Sequence, residues 1–259
     1  MITDAERQRV LMGLPLGRDR QPDDVLELQM TPPDPKACAI LVPTSGSIQP
    51  DCESALQALE RKGYPVWRVR GYSAIDQGRN QMATDAMAQG FAETFWIDDD
   101  VAFNPVDVDR LRCFDLPICA GVYPKKGKRE LAAHVLPGTR KMVFGNKGCV
   151  TEVKYTGTGF LHVRREVYET MQQRLELRTC NAGFGSPMVP YFMPMIVDTD
   201  KGPWYLAEDY SFCERARRCG FQIMVDTRVR LWHVGSYRYS WEDAGIDRER
   251  FGDFTLSLT

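Results

Sequence analysis

The 259-residue sequence has almost no net charge: 33 Lys and Arg stand against 35 Asp and Glu, a formal balance of −2. That near-neutrality removes any bulk electrostatic case for nucleic acid or an anionic membrane as an obligate partner. No apolar run approaches the roughly 20 residues needed to span a bilayer. Residues 1–20 mix charges throughout and lack the apolar stretch of a signal peptide. The eight cysteines, at 38, 52, 113, 119, 149, 180, 213 and 219, include no C-x-x-C pair and no zinc-finger spacing. Cys38 and Cys119 lie inside apolar segments, where reduced cysteine behaves as a small hydrophobe. These absences point to a reduced, cytoplasmic protein with no transmembrane segment. Neither G-x-G-x-x-G nor G-x-x-x-x-G-K-[ST] follows the first apolar run, so neither a dinucleotide fingerprint nor a P-loop is indicated. No internal repeat and no low-complexity tract is present.

What is present is the composition of an ordinary globular chain, 43% hydrophobic and 26% charged. Its length suits one large α/β domain with insertions. Residues 1–35 read as an N-terminal extension and linker, with a short helical pattern at 4–14 and a stiff Pro32-Pro33-Asp34-Pro35 end. The body of the fold is expected over 36–235, and 236–259 forms a C-terminal tail without clear periodicity. Strand patterns at 37–42, 64–69 and 95–97 alternate with helix patterns at 50–62 and 77–89, the helices stopped by Gly63 and Gly90. The β-α-β-α-β order predicts a mostly parallel central sheet flanked by helices. A helix to about 112 and a strand at 116–123 extend it. Residues 130–154 read as a small antiparallel hairpin insertion, with Gly138, Gly145 and Gly148 as turns. The pair Gly157 and Gly159 opens a strand ending near Val163, and a helix follows at 165–175. Residues 178–203 suggest a long ordered loop, followed by a helix at 210–218 and strand pieces at 221–225 and 229–231.

The most informative stretch is Phe95-Trp96-Ile97 running into Asp98-Asp99-Asp100. A buried strand that ends in carboxylates delivers them to the edge where open α/β sheets bind ligands. Three adjacent carboxylates repel one another, and a hard cation such as Mg²⁺ or Mn²⁺, shared with a phosphate, would relieve that repulsion. An acidic surface turn is the plainer alternative. The basic run Lys125 to Arg129 is either a solvated loop or a source of cations facing such phosphates.

Four features together resemble the GT-A glycosyltransferases, most closely their family 2-like members. They are Val42-Pro43-Thr44 ending the first strand and Gly78-Arg79-Asn80 opening the helix before the acidic strand. Next come the Asp98-Asp99-Asp100 triplet, as a D-x-D motif, and Leu206-Ala207-Glu208-Asp209 followed by Gly220-Phe221 and Val229 to His233. The resemblance implies a GT-A, Rossmann-like fold and a nucleotide-diphosphate sugar donor, UDP-linked by expectation, with Mn²⁺ or Mg²⁺ as cofactor. It implies that Pro43, Thr44 and Ser45 line the base pocket and that Asp76 or Arg79 contacts base or ribose. Asp98 meets the ribose or donor sugar, and Lys125 faces the phosphates. Asp98, Asp100 and His233 form the implied metal set.

Asp209 is the implied general base of an inverting transfer to an acceptor hydroxyl, with Glu208 as the lesser candidate. Phe184, Tyr191, Phe192 and Trp204 would wall the donor sugar and acceptor. The chain departs from processive polysaccharide synthases in lacking Q-x-x-R-W and transmembrane helices, which implies a single-transfer enzyme. A retaining outcome stays open. Two other readings stand beside this one: a nucleotidyltransferase that makes the activated sugar, and a non-catalytic sugar- or nucleic-acid-binding protein on the same scaffold.

Overall fold

The computed structural model describes residues 33–244 and 254–257, so the helical pattern at 4–14 lies outside the described residues. The chain enters through the first strand, β1 (Cys38–Pro43), which is buried along its whole length. Helix α1 (Pro50–Arg61) returns it to β2 (Val66–Val69), and α2 (Ile75–Ala88) leads to β3 (Glu93–Ile97). Pro50 starts α1 at a position where its missing N–H costs nothing, and Gly63 and Gly220 follow helices with φ of 96° and 89°. A two-residue strand, β4 (Val101–Ala102), precedes α3 (Val106–Cys113) and β5 (Ile118–Val122).

Four short strands come next: β6 (Ala133–His134), β7 (Lys141–Phe144), β8 (Val150–Val153) and β9 (Tyr155–Thr156). The order then runs β10 (Phe160–Arg164), α4 (Arg165–Arg174), the pair β11 (Met195–Thr199) and β12 (Gly202–Leu206), and α5 (Glu208–Arg218). Strands β13 (Ile223–Arg230), β14 (Trp232–Val234), β15 (Arg238–Tyr239) and β16 (Phe254–Ser257) complete the described chain.

Seven strands form the central sheet in the order β2-β1-β3-β10-β5-β13-β8. The β2–β1, β1–β3 and β5–β13 pairs are parallel, while β10 and β8 run against their neighbours. This is the mostly parallel α/β sheet expected from the sequence, with small antiparallel sheets beside it. Alternation along β1 divides the core. Cys38, Ile40 and Val42 pack with Cys52, Leu56 and Leu59 of α1 and with Val108 and Leu111 of α3. Ala39 and Leu41 face the other way, toward Met82 and Ala83 of α2, Val167 of α4 and Phe212 of α5. With helices on both faces, the ligand edge is left at the carboxyl ends of β1, β3 and β5.

Two local expectations are corrected. Residues 130–154 form no hairpin: β6 pairs with β9, β7 with β16, and β8, at the edge of the central sheet, with β13. Turn glycines marked where the chain bends, but each strand found a partner distant in sequence, which turn chemistry does not encode. The expected pieces at 221–225 and 229–231 belong to one strand with an irregular register between Val225 and Arg230. Asp226, which reads as a breaker, is wholly buried there because Arg228 Nε bonds its Oδ1 at 2.8 Å. Residues 236–244 pack onto the domain: Arg238 and Tyr239 pair with β14, and Trp241 is buried in the core.

Candidate functional site

The strand β3 delivers the acidic triplet to the carboxyl edge of the sheet, where its three side chains diverge. Asp98 is held from its backbone, its N–H donating to Gly159 O at 3.1 Å. Its Oδ1 accepts a bond from Arg79 Nη2 at 2.6 Å. Asp99 is tied to the loop after β1, through the Thr44 side chain and the Ser45 backbone, and its carbonyl accepts from Gln49 N at 2.8 Å. Burial nevertheless raises the Asp99 pKa, and the neighbouring carboxylates add to that. Asp100 turns toward Lys126 and His233, with its carbonyl accepting from Val234 N at 2.7 Å.

The glycine pair that opens β10 exists for this packing. A Cβ on Gly159 would lie 2.5 Å from the Tyr123 hydroxyl and 2.7 Å from Asp98 Oδ2. A Cβ on Gly157 would meet the same hydroxyl at 2.5 Å. The Gly159 N–H donates to that hydroxyl at 2.9 Å, so the bare backbone presses against the wall of the site.

The motif Gly78-Arg79-Asn80 divides its work by residue. Gly78 admits the Tyr72 ring, which a Cβ would meet at 3.1 Å. Asn80, buried in the interior, accepts a bond from Phe192 N at 2.6 Å and so pins the 190s segment to α2. Arg79 is 2% exposed and lies 5.6 Å above the Trp96 ring. Burial alone would lower its pKa, but Asp98 and Glu208 outweigh that and hold it protonated. Its Nε stands 3.8 Å from Glu208 Oε1, too far for a hydrogen bond, and both Nε and Nη1 lack hydrogen-bond partners. A buried guanidinium with two unused donors beside a cavity is poised to bind an anion or a carbonyl.

Glu208 and Asp209 open α5, where the helix dipole favours acids. Ser211 fixes that start, donating to Leu206 O at 2.9 Å and accepting from Met195 N at 3.1 Å. Burial pushes Asp209 up to a pKa of about 6, with Glu208 and Asp98 adding to the rise. The Tyr210 N–H and Arg79 work against it. A carboxyl poised near neutrality suits a general base.

Pro43, Thr44, Ser45, Arg79, Asp98, Asp100, Glu208 and His233 all line one cavity of about 340 Å³. Asp209 sits just behind that lining, within charge range of Arg79, Asp98 and Tyr123. Asp76 is half-buried in the first turn of α2 and outside the lining. Lys125 pairs with Glu130 at 3.0 Å, and its neighbour Lys126 is the lysine that reaches Asp100. Of the four aromatics, Tyr191 and Phe192 are core residues and Phe184 is 89% exposed. Trp204 packs among His134, Tyr155 and Tyr210. The sequence reading missed Val69, Tyr72 and Ile75 as walls of the cavity and Tyr123 as its brace. Only their position at or after the ends of β2 and β5, at the ligand edge, could have signalled them.

The residues implied for a metal separate on inspection. Among the described residues no group of three or more His, Cys, Asp or Glu side chains could hold a metal ion. Asp98 is turned to Arg79, which leaves Asp100 Oδ1 and His233 Nε2, 3.4 Å apart. His233 Nδ1 lies 2.9 Å from the Pro124 carbonyl, which can only accept, so Nδ1 carries a proton and Nε2 faces Asp100; with the ring neutral, that nitrogen presents a lone pair. Two facing lone-pair groups fit a small divalent ion that takes its remaining ligands from phosphate and water. Burial opposes ionisation of Asp100, but His233 and Lys126 outweigh it and lower its pKa.

No protein-family model matches the sequence, and no curated protein matches it. Among solved structures, A197 from STIV aligns over 76% of this chain and 85% of its own, at a TM-score of 0.51 and 14% identity. GalNAc-T7 with UDP, GalNAc and Mn²⁺ aligns over 79% of this chain and 44% of its own, with a TM-score of 0.43 and 10% identity. UDP-glucose pyrophosphorylase complexed with UDP-glucose covers 75% and 92%, with a TM-score of 0.37 and 8% identity. The first likeness is one of fold; the other two are too distant to bear on function. The chain therefore shares an α/β fold with A197, and its chemistry rests on its own residues.

Proposed function

We propose that this protein is a GT-A-type glycosyltransferase that moves a sugar from a nucleotide-diphosphate donor, a UDP-sugar, to an acceptor hydroxyl with inversion. The observation that carries this reading is the single cavity in which the β1 loop, the start of α2, the acidic triplet, the start of α5 and His233 meet. These are the segments that the family resemblance singled out, and they are far apart in the chain.

In this reading the base lies against Pro43, Thr44 and Ser45. Arg79 uses its free Nε and Nη1 on the donor's ribose, phosphate or sugar, and its link to Asp98 keeps it oriented. Asp100 and His233 would hold Mn²⁺ or Mg²⁺, which when bound supplies charge neutralisation to the diphosphate. Asp209 accepts the proton of the acceptor hydroxyl as that oxygen bonds to the anomeric carbon and the carbon–phosphate oxygen bond breaks. Glu208 lies beside Arg79, and its carboxylate adds to the rise in the Asp209 pKa.

A nucleotidyltransferase would need cations on the loop after β1 to receive a triphosphate, and Pro43 to Ser47 supply none. The direct test is hydrolysis of a panel of nucleotide sugars in Mn²⁺, which needs no known acceptor. Release of nucleoside diphosphate from one donor supports the proposal. No turnover of any donor, with pyrophosphate release from a nucleoside triphosphate and a sugar phosphate, would replace it with the nucleotidyltransferase.

A further inference from the structure

The basic run after β5 contributes more than charge to the cavity. Pro124 orients His233 through its carbonyl, and two residues later Lys126 forms a direct ion pair with Asp100 Oδ2. One short segment therefore both aims the imidazole and supplies a cation to the carboxylate facing it. The Lys126 side chain lies along Gly235, whose missing Cβ would sit 3.6 Å from Lys126 Cδ. Lys126 is 35% exposed and Asp100 27%, so the ammonium reaches the acid from the solvent side and can leave by the same path. The other basic side chain of the site, Arg79, is buried and fixed on Asp98, so it cannot take this place.

Resting on the metal–nucleotide reading of the cavity, we propose that Lys126 is a tethered cation that holds the Asp100 seat until a nucleoside diphosphate arrives, and then moves to the diphosphate. Divalent metal and Lys126 cannot both neutralise Asp100 at close range, because like charges at such separations repel strongly in a partly buried site. A diphosphate offers the ammonium a stronger partner than the carboxylate it leaves. Metal binding is then conditional on nucleotide, and by linkage nucleotide binding is conditional on metal to the same factor. Mn²⁺ without nucleotide then binds weakly, and the Asp100 carboxylate keeps a cation partner between turnovers.

The test is Mn²⁺ titration of the full chain, followed by electron paramagnetic resonance and calorimetry, with and without UDP. Wild type and Lys126→Met are compared. The wild-type protein is expected to bind Mn²⁺ weakly alone and at least about tenfold more tightly with UDP. Lys126→Met should bind Mn²⁺ alone about tenfold or more tighter than wild type, and UDP should then add little. Lys126→Gln serves as the second variant, and thermal unfolding without metal reports that each is folded. Unchanged or weaker Mn²⁺ affinity in both variants, with UDP-dependent Mn²⁺ binding intact, overturns this inference and leaves the proposed function standing. No Mn²⁺ binding by any of the proteins, with or without UDP, overturns both.

Discussion

At the scale of single residues, the site is organised by which carboxylate faces which cation. Asp98 belongs to Arg79, Asp100 to Lys126 and His233, and Asp99 to the β1 loop. Asp209 is left with a raised pKa and no cation in contact. Two outcomes follow from its burial. The rate of transfer should fall as pH drops below about 6, following protonation of one carboxyl. Asp209→Asn should abolish that dependence and slow transfer by about 10²–10⁴-fold while donor affinity is kept. The stability effect has the opposite sign. Because the folded pKa of about 6 lies above the ordinary aspartate value of 3.8, the folded state holds more protons than the unfolded one between those values, and stability falls as pH rises through that window. Asp209→Asn should therefore raise stability by about 1–3 kcal/mol at pH 7–8, with the gain gone below about pH 4, as read from denaturant melts at each pH.

Gly159 gives a second residue-level outcome. Adding a methyl group there crowds both the Tyr123 hydroxyl and Asp98. Gly159→Ala should cost about 1–3 kcal/mol and weaken nucleotide binding. Gly46→Ala, whose Cβ meets nothing within 4 Å, should do neither. Thermal unfolding and nucleotide titration read both.

At the scale of elements, α2 is the piece that joins core to site. Met82, Ala83 and Ala86 are packed into the core, while Gly78, Arg79 and Asn80 at its start address Tyr72, Asp98 and Phe192. Removing the Asn80 acceptor should leave the buried Phe192 N–H without a partner. Asn80→Ala should cost about 1–3 kcal/mol and speed amide exchange across the 190s segment more than in β1 or β3.

This element also shows what the sequence made legible. The helix pattern at 77–89 and the Gly-Arg-Asn motif were readable because period and stop residue are local. Which side chain Asn80 or Gly78 would touch was not, because both partners lie in other segments. The same division explains the 130–154 region. Its turns were visible in Gly138 and Gly145, but the partners of β7 and β8 are distant strands. It also explains the aromatic loop: Tyr191 and Phe192 carry the rings of a sugar wall but are spent on the core.

At the scale of the whole molecule, a sheet covered by helices on both faces leaves its carboxyl edge as the place where distant segments meet. The cavity there gathers ten residues that the sequence singled out: Pro43, Thr44, Ser45, Gly78, Arg79, the three acids Asp98 to Asp100, Glu208 and His233. Neither Asp76 nor Lys125 belongs to its lining, since a motif fixes a position within an element but not the direction of each side chain. Among the described residues no helix is long and apolar enough to cross a membrane.

The central claim is that this cavity binds a nucleoside diphosphate together with a divalent ion held by Asp100 and His233. Calorimetric titration of the full chain with UDP, with Mn²⁺ and with EDTA in its place, tests it most directly. The account predicts binding that is strengthened at least about tenfold by Mn²⁺, with that gain lost in Asp100→Ala and the metal-free affinity retained. UDP and GDP binding that is absent, or that is indifferent to Mn²⁺ in both proteins, would contradict it.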